Sequence, residues 1–176
     1  MNLPNKLTLA RVAAVPVFII AYMLDWYWVS LIVFVAASIT DFFDGMIARK
    51  NNLITNFGKI MDPLADKVLV YAAFCLFIEN GTIQAWMLVV ILAREFAIAG
   101  MRAVAAAEGN VLAAGLSGKV KTVLQMVSVP LIILGQAMYT HVWILTAGKF
   151  CFYAALLMTL YSGYEYIFNN KEIFKK

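Results

Sequence analysis

Two stretches, Val12 to Leu24 and Leu31 to Ile39, are apolar at every helical angle, which constrains the fold more than any other feature of the chain. A helix of this kind has no polar face to turn towards water and belongs in a core or a bilayer. With 64% hydrophobic and only 14% charged residues among 176, the chain has too little polar surface for an ordinary soluble domain. A transmembrane β-barrel would alternate apolar and polar side chains, which these runs do not. The expectation is an all-α integral membrane protein, with one domain over residues 1–176.

The apolar runs and their breaks predict six transmembrane helices preceded by a short N-terminal interfacial segment. The first span ends near Leu24, and the next four cover about Val29 to Arg49, Ile60 to Ile78, Ala85 to Ala107 and Lys119 to Met138. The sixth covers about Lys149 to Phe168, with loops expected at Lys50 to Lys59, Glu108 to Gly118 and Tyr139 to Gly148. Trp26, Tyr27 and Trp28 mark a membrane interface at the first turn. Lys6 and Arg11 ahead of an apolar run resemble a secretory signal, but no small-residue cleavage site follows.

The net charge of +4 does not form a basic stripe, so nucleic acid is not an expected partner. The cations follow the topology instead. Those from Lys6 and Arg11 through Arg49, Lys50, Lys59, Lys67, Arg102, Lys119 and Lys121 to the three C-terminal lysines fall on one side or at its helix ends. Lys149 falls on the other side, and Arg94 lies deeper in its helix. By the positive-inside rule both termini and the loop after the second span are expected in the cytoplasm. Cys75 and Cys151, each within an apolar run, suggest packing and neither a disulfide nor a zinc site, and His141 suggests a surface position.

Against this background the stretch DFFDGMIARKNNLITNFGKIMDPLAD, Asp41 to Asp66, stands out. A carboxylate in a membrane span costs roughly 3 kcal/mol on insertion scales, so four together need a compensating partner. Asp41 and Asp44 are three residues apart and Asp62 and Asp66 four apart, so each pair shares a helical face. Four carboxylates without nearby histidine or cysteine suit Mg²⁺ or Mn²⁺, one or two ions, and a two-ion centre would clamp a diphosphate. Gly45, Ala48 and Gly58 leave room for a ligand, while Arg49 offers a planar fork for phosphate oxygens. Taken singly, these small residues also fit close helix packing, and Arg49 a topology anchor. Asn5 and Thr8, near the start of the first span, fit helix capping and interfacial solvation.

Asp41, Asp44, Gly45, Ala48, Arg49, Gly58, Asp62 and Asp66 fill every fixed position of DxxDGxxAR, eight residues, GxxxDxxxD. In this the chain resembles the CDP-alcohol phosphatidyltransferases. The resemblance implies attack by an acceptor alcohol on the β-phosphorus of a CDP-linked lipid, with release of CMP. It implies that Asp41, Asp44, Asp62 and Asp66 hold two Mg²⁺ or Mn²⁺ ions and that Asp66 also deprotonates the acceptor. Gly45, Ala48, Arg49, Thr55 and Gly58, with Asn5 and Thr8, would then bind the CDP-lipid. A homodimer in the membrane is implied as well.

Arg94, Arg102, Lys119 and Lys121 admit two readings on physical grounds. They form an anion pocket for a phosphate on the acceptor, or Glu95 pairs with Arg94 or Arg102 while the lysines contact lipid headgroups. PNKLTLAR, AREF and SGKVKT resemble the bacterial branch of the family that makes phosphatidylglycerophosphate in the cytoplasmic (inner) membrane. That resemblance implies CDP-diacylglycerol as donor and sn-glycerol 3-phosphate as acceptor. The rivals are the same chemistry on serine, inositol phosphate or phosphatidylglycerol and, from another class, a small cation-coupled transporter.

Overall fold

A computed structural model describes residues 3–50, 56–107, 109 and 115–170, with side chains described for 9–40, 67–107, 109 and 115–170. The described residues form six helices and no strand: α1 Leu3–Met23, α2 Tyr27–Lys50, α3 Asn56–Glu79, α4 Ala85–Ala107, α5 Leu116–Ala137 and α6 Val142–Asn169. The helical class and the number of helices agree with the pattern of apolar runs. Among the described residues, α5 and α6 are long and apolar enough to cross a membrane, and residues 9–23 and 27–40 form shorter apolar stretches. Ile32, Phe96, Phe150 and Leu157 stand exposed, so the bundle presents large apolar side chains outward. Water seldom surrounds such a surface.

The ends of α1 and α3 share one stop signal. The amide of Trp26 donates to the Ala21 carbonyl and that of Asp25 to Tyr22, while Thr82 and Gly81 do the same to Phe77 and Ile78. Each is a Schellman closure, which needs a left-handed residue at its centre. Gly81 supplies it at φ 74°, and Asp25 does so at φ 57° while its carboxylate accepts from the Tyr27 hydroxyl at 2.7 Å. These closures set the turns that let α1 and α3 end together.

The main core takes side chains from all six helices: Phe18, Phe34, Phe74, Phe77, Ile91, Ile132, Ile133 and Phe152 are fully buried or nearly so. Phe74 meets Phe152 edge to face at 5.1 Å between centroids. Above this core a neutral polar network ties α1, α3 and α5. Tyr22 donates to Gln136 at 2.7 Å, Asn80 donates to Tyr22 at 2.5 Å, and Gln136 donates to Thr82 at 3.1 Å.

Several boundaries differ from the sequence expectation. Helix α1 runs unbroken from Leu3, so the expected N-terminal segment is helical and continuous with the first apolar stretch, and Asn5 and Thr8 lie inside the helix instead of capping it. Within the expected loop at Lys50 to Lys59, Lys50 ends α2 and Asn56 already begins α3, and α5 starts at Leu116, so Ser117 and Gly118 are helical. Helix α6 begins at Val142, where the expected turn would have continued to Gly148. The reason lies in packing. A Cβ on Gly148 would fall 2.8 Å from the Ile132 backbone nitrogen, and one on Gly135 would fall 2.5 Å from the Leu145 nitrogen. These glycines let α5 and α6 approach backbone to backbone, the most extensive helix contact in the bundle. Cys75 is exposed instead of packed, and Cys151 is half-buried.

Because the obstructing atoms are backbone, Gly135→Ala should force α5 and α6 apart and cost about 1–3 kcal/mol. Thermal unfolding in detergent should show a clear fall in Tm for Gly135→Ala and for Gly148→Ala. An unchanged Tm in both would contradict the packing described.

Candidate active site

The aspartate motif is split between two helices. Asp41, Asp44, Gly45, Ala48 and Arg49 belong to the C-terminal part of α2, and Gly58, Asp62 and Asp66 to the N-terminal part of α3. Helical backbone at these positions puts Asp41 and Asp44 on one face and Asp62 and Asp66 on another single face. Thr55 lies outside the described residues, as do the side chains of Asn5, Thr8 and every motif residue from Asp41 to Asp66. Among the described residues no group of three or more histidines, cysteines or acids gathers. The donor set in the motif is all carboxylate, which fits a hard divalent ion such as Mg²⁺ or Mn²⁺.

Immediately after Asp66, Lys67 opens a second region whose side chains are described. A cavity of about 750 Å³ lies between α3, α4, the start of α5 and the end of α6. Arg94, Arg102, Lys119 and Lys121 all line it, together with Lys67. Among the described residues, five cationic side chains thus face the same space as two carboxylates, Glu95 and Glu165. The excess is positive.

Glu95 sits at the centre of the cations. It is buried, with Oε2 accepting from Lys67 Nζ at 2.7 Å and Oε1 accepting from Arg94 Nη1 at 3.2 Å. Lys121, buried as well, contacts Oε1 with its Nζ. Arg94 also donates through Nη2 to Ser162 Oγ at 3.0 Å, and Gly163 makes room for it: a Cβ there would come within 3.0 Å of Arg94 Cγ. The Nε of Arg94 is buried and has no hydrogen-bond partner among the described residues. Glu95 therefore pairs with Arg94, as one of the two readings expected, but also with both lysines from α3 and α5. Arg102 is not part of this cluster. It donates through Nε to the Tyr166 hydroxyl at 3.1 Å, and its guanidinium lies 5.4 Å from the Tyr166 ring centroid.

The outer part of the cavity is polar but less charged. Ser117 donates to Glu165, and Asn169 and Asn170 complete the wall. Helix α5 starts here, after Gly115, which contributes no side-chain cap, so backbone N–H groups of the first turn are left for solvent or ligand. A helix N-terminus favours an anion. Sequence reasoning missed Lys67, Ser162, Glu165, Tyr166, Asn169 and Asn170. The signal was present on α6: Ser162, Glu165 or Tyr166, and Asn169 recur at helical spacing in an otherwise apolar helix.

Comparison with known proteins gives the family. The profile of the CDP-alcohol phosphatidyltransferases matches residues 1–161. The chain belongs to this family. It is 41% identical to the CDP-diacylglycerol–glycerol-3-phosphate 3-phosphatidyltransferase of Bacillus subtilis (strain 168), over 99% of this chain and 97% of that protein. Proteins of the same name from Rickettsia bellii and Salmonella typhimurium are 38% and 37% identical, covering 98% and 94% of this chain and 97% and 93% of their own lengths. An enzyme family therefore stands behind a fold whose cavity carries excess positive charge.

Ser162 is nearly inaccessible, so Ser162→Ala would leave an Arg94 donor buried and unsatisfied, at a cost of about 1–3 kcal/mol. Chemical denaturation should show that loss for Ser162→Ala and a smaller one for Ser162→Thr. Equal stability of Ser162→Ala and the parent would remove this hydrogen bond from the description of the site.

Proposed function

We propose that the protein transfers a phosphatidyl group from CDP-diacylglycerol to sn-glycerol 3-phosphate, giving phosphatidylglycerophosphate and CMP in phospholipid biosynthesis. The observation that carries this reading is the cation-rich cavity beginning at Lys67, next to Asp66 and the complete eight-position family motif. A phosphorylated acceptor complements that charge, whereas free serine does not. The relatives' shared name points to the same pair of substrates.

In this reading Arg94, Arg102, Lys119 and Lys121 bind the acceptor's phosphate, and Asp66 accepts the proton of its attacking hydroxyl. The new bond forms between that hydroxyl oxygen and the β-phosphorus, and the bond from the β-phosphorus to the bridging oxygen breaks as CMP leaves. Gly45, Ala48, Arg49, Thr55 and Gly58, with Asn5 and Thr8, hold the CDP-lipid headgroup. Asp41, Asp44, Asp62 and Asp66 would hold Mg²⁺ or Mn²⁺, in a pair, whose charge offsets the diphosphate and the leaving CMP. The six helices act as membrane spans in the bacterial cytoplasmic membrane, with both termini and the site facing the cytoplasm and two copies forming a homodimer. A transporter reading explains buried acids but gives no reason for the full glycine, arginine and aspartate spacing.

Purified protein with CDP-diacylglycerol and Mg²⁺ or Mn²⁺ should release CMP with sn-glycerol 3-phosphate and far less with serine, inositol phosphate or phosphatidylglycerol. No CMP with any acceptor would remove the enzyme reading, and release with a different acceptor alone would reassign the substrate. Chelation of divalent ions should stop the reaction.

Loss of a general base typically costs about 10²–10⁴-fold in rate, so Asp66→Asn should abolish measurable turnover while CDP-lipid binding persists. Lys121→Ala should raise the acceptor KM by roughly tenfold or more, the scale of one charged hydrogen bond. Lys119→Ala should act in the same direction. Loss of CDP-lipid binding in Asp66→Asn would contradict the assignment of a base, and equal effects of the lysine variants on every acceptor would contradict a phosphate site.

A further inference from the structure

We propose that Glu95 is a positioning residue: its carboxylate gathers Lys67, Arg94 and Lys121 from three helices into one cationic surface matched to a phosphate dianion. This rests on the phosphatidyl-transfer reading and assigns a function within its acceptor pocket to a residue of the opposite sign. An acid in an anion site looks out of place. Its contacts give the reason.

Lys67 comes from α3, Arg94 from α4 and Lys121 from α5, and all three meet the one carboxylate. Three like charges converging on one point repel, and a single negative charge between them lets them stay together. Among the described residues, three cations against the one carboxylate of Glu95 leave two surplus positive charges. A phosphomonoester, with a second pKa near 6, carries close to two negative charges at neutral pH. Glu95 thereby sets the cluster's charge as well as its shape, and a neutral or zwitterionic acceptor leaves that surplus unmatched.

Exposure shows which cations depend on it most. The Lys121 side chain is 4% accessible, so water does little to offset its charge and the Glu95 carboxylate does so instead, whereas the Lys67 side chain is 47% accessible. The Glu95 contact draws Lys67 inward, and Lys67 follows directly on Asp66 in α3. The same carboxylate therefore links the cations that receive the acceptor to the helix that carries the base. A purely structural ion cluster would have little need of a cavity wall, since a buried ion pair contributes little stability over a well-packed apolar pair.

The test compares the parent protein with Glu95→Gln, Lys121→Met and the double variant. Two readouts are taken: the concentration of sn-glycerol 3-phosphate, or inorganic phosphate, giving half-maximal protection against thermal unfolding, and CMP-release kinetics with each substrate varied. Glu95→Gln should raise the half-protecting concentration and the acceptor KM at least tenfold, leave the CDP-diacylglycerol KM within twofold, and change kcat less than KM. The double variant should be within about threefold of Lys121→Met, because Glu95 acts through that lysine.

An acceptor KM within twofold of the parent, an equal rise in both KM values, or multiplicative effects in the double variant would each overturn the proposal. Should Glu95→Gln fail to fold, Glu95→Asp keeps the charge but withdraws it by one methylene. It should raise the acceptor KM at least threefold, and no rise would overturn the proposal. Absence of CMP release by the parent would overturn the transfer reading alone, since protection by phosphate still reads out Glu95. Absence of protection of the parent by both anions would overturn the pocket and the assignment of Glu95.

Discussion

The meeting of Glu95 with Lys67, Arg94 and Lys121 joins three helices beside the cavity. Among the described residues, helix α4 packs mainly on α6 and less on α3, and α3 touches α5 to a similar extent. In a bundle whose outer surface is apolar, polar groups inside must satisfy one another. The carboxylate does so for cations from α3, α4 and α5, and Ser162 extends the same chain of contacts to α6 through Arg94. Charge thus adds to the apolar core these helices share and joins them where they border the cavity.

The opposite end of the bundle is organised differently. There the ends of α1, α3 and α5 are joined by the neutral network of Tyr22, Asn80, Thr82 and Gln136, with α1 and α3 closed by backbone hydrogen bonds. Below it the aromatic core fills the centre, and Gly135 and Gly148 bring α5 against α6. One end is closed by satisfied neutral polar groups and tight packing. The other holds, among the described residues, more cations than carboxylates around an open space, and in the proposed reading ligand chemistry belongs at that end.

Much of the fold was legible in the sequence because apolar runs bounded by polar residues specify helices whatever their partners. The limits of α4 at Ala85 and Ala107 were read directly. Gly148 was misread because a glycine in sequence signals a turn equally well as a close approach, and only Ile132 on the neighbouring helix decides between them. Lys149 reinforced the same error as an apparent boundary. In the site, Arg94, Arg102, Lys119 and Lys121 could be grouped because each is an isolated cation in an apolar setting. The partners of Glu95 could not. Lys67 is 28 residues away and Lys121 is 26, and helical periodicity carries no information across such separations.

The division of the chain bears on how acceptor choice is encoded. The family motif ends at Asp66, and among the described residues the cavity is lined by Lys67 and by side chains of α4, α5 and α6. In the proposed reading the donor lipid and the ions belong to α2 and α3, and the acceptor belongs to a surface that shares only α3 with them. Residues of α4 to α6 are then able to change which alcohol is bound while the phosphoryl chemistry stays intact. The step from Asp66 to Lys67 is the covalent link between these two parts, and Glu95, from a third helix, holds the second of these residues towards the cavity. In this reading acceptor selection rests on charge geometry outside the motif, which would explain why the aspartates alone identify a reaction type and leave the alcohol open.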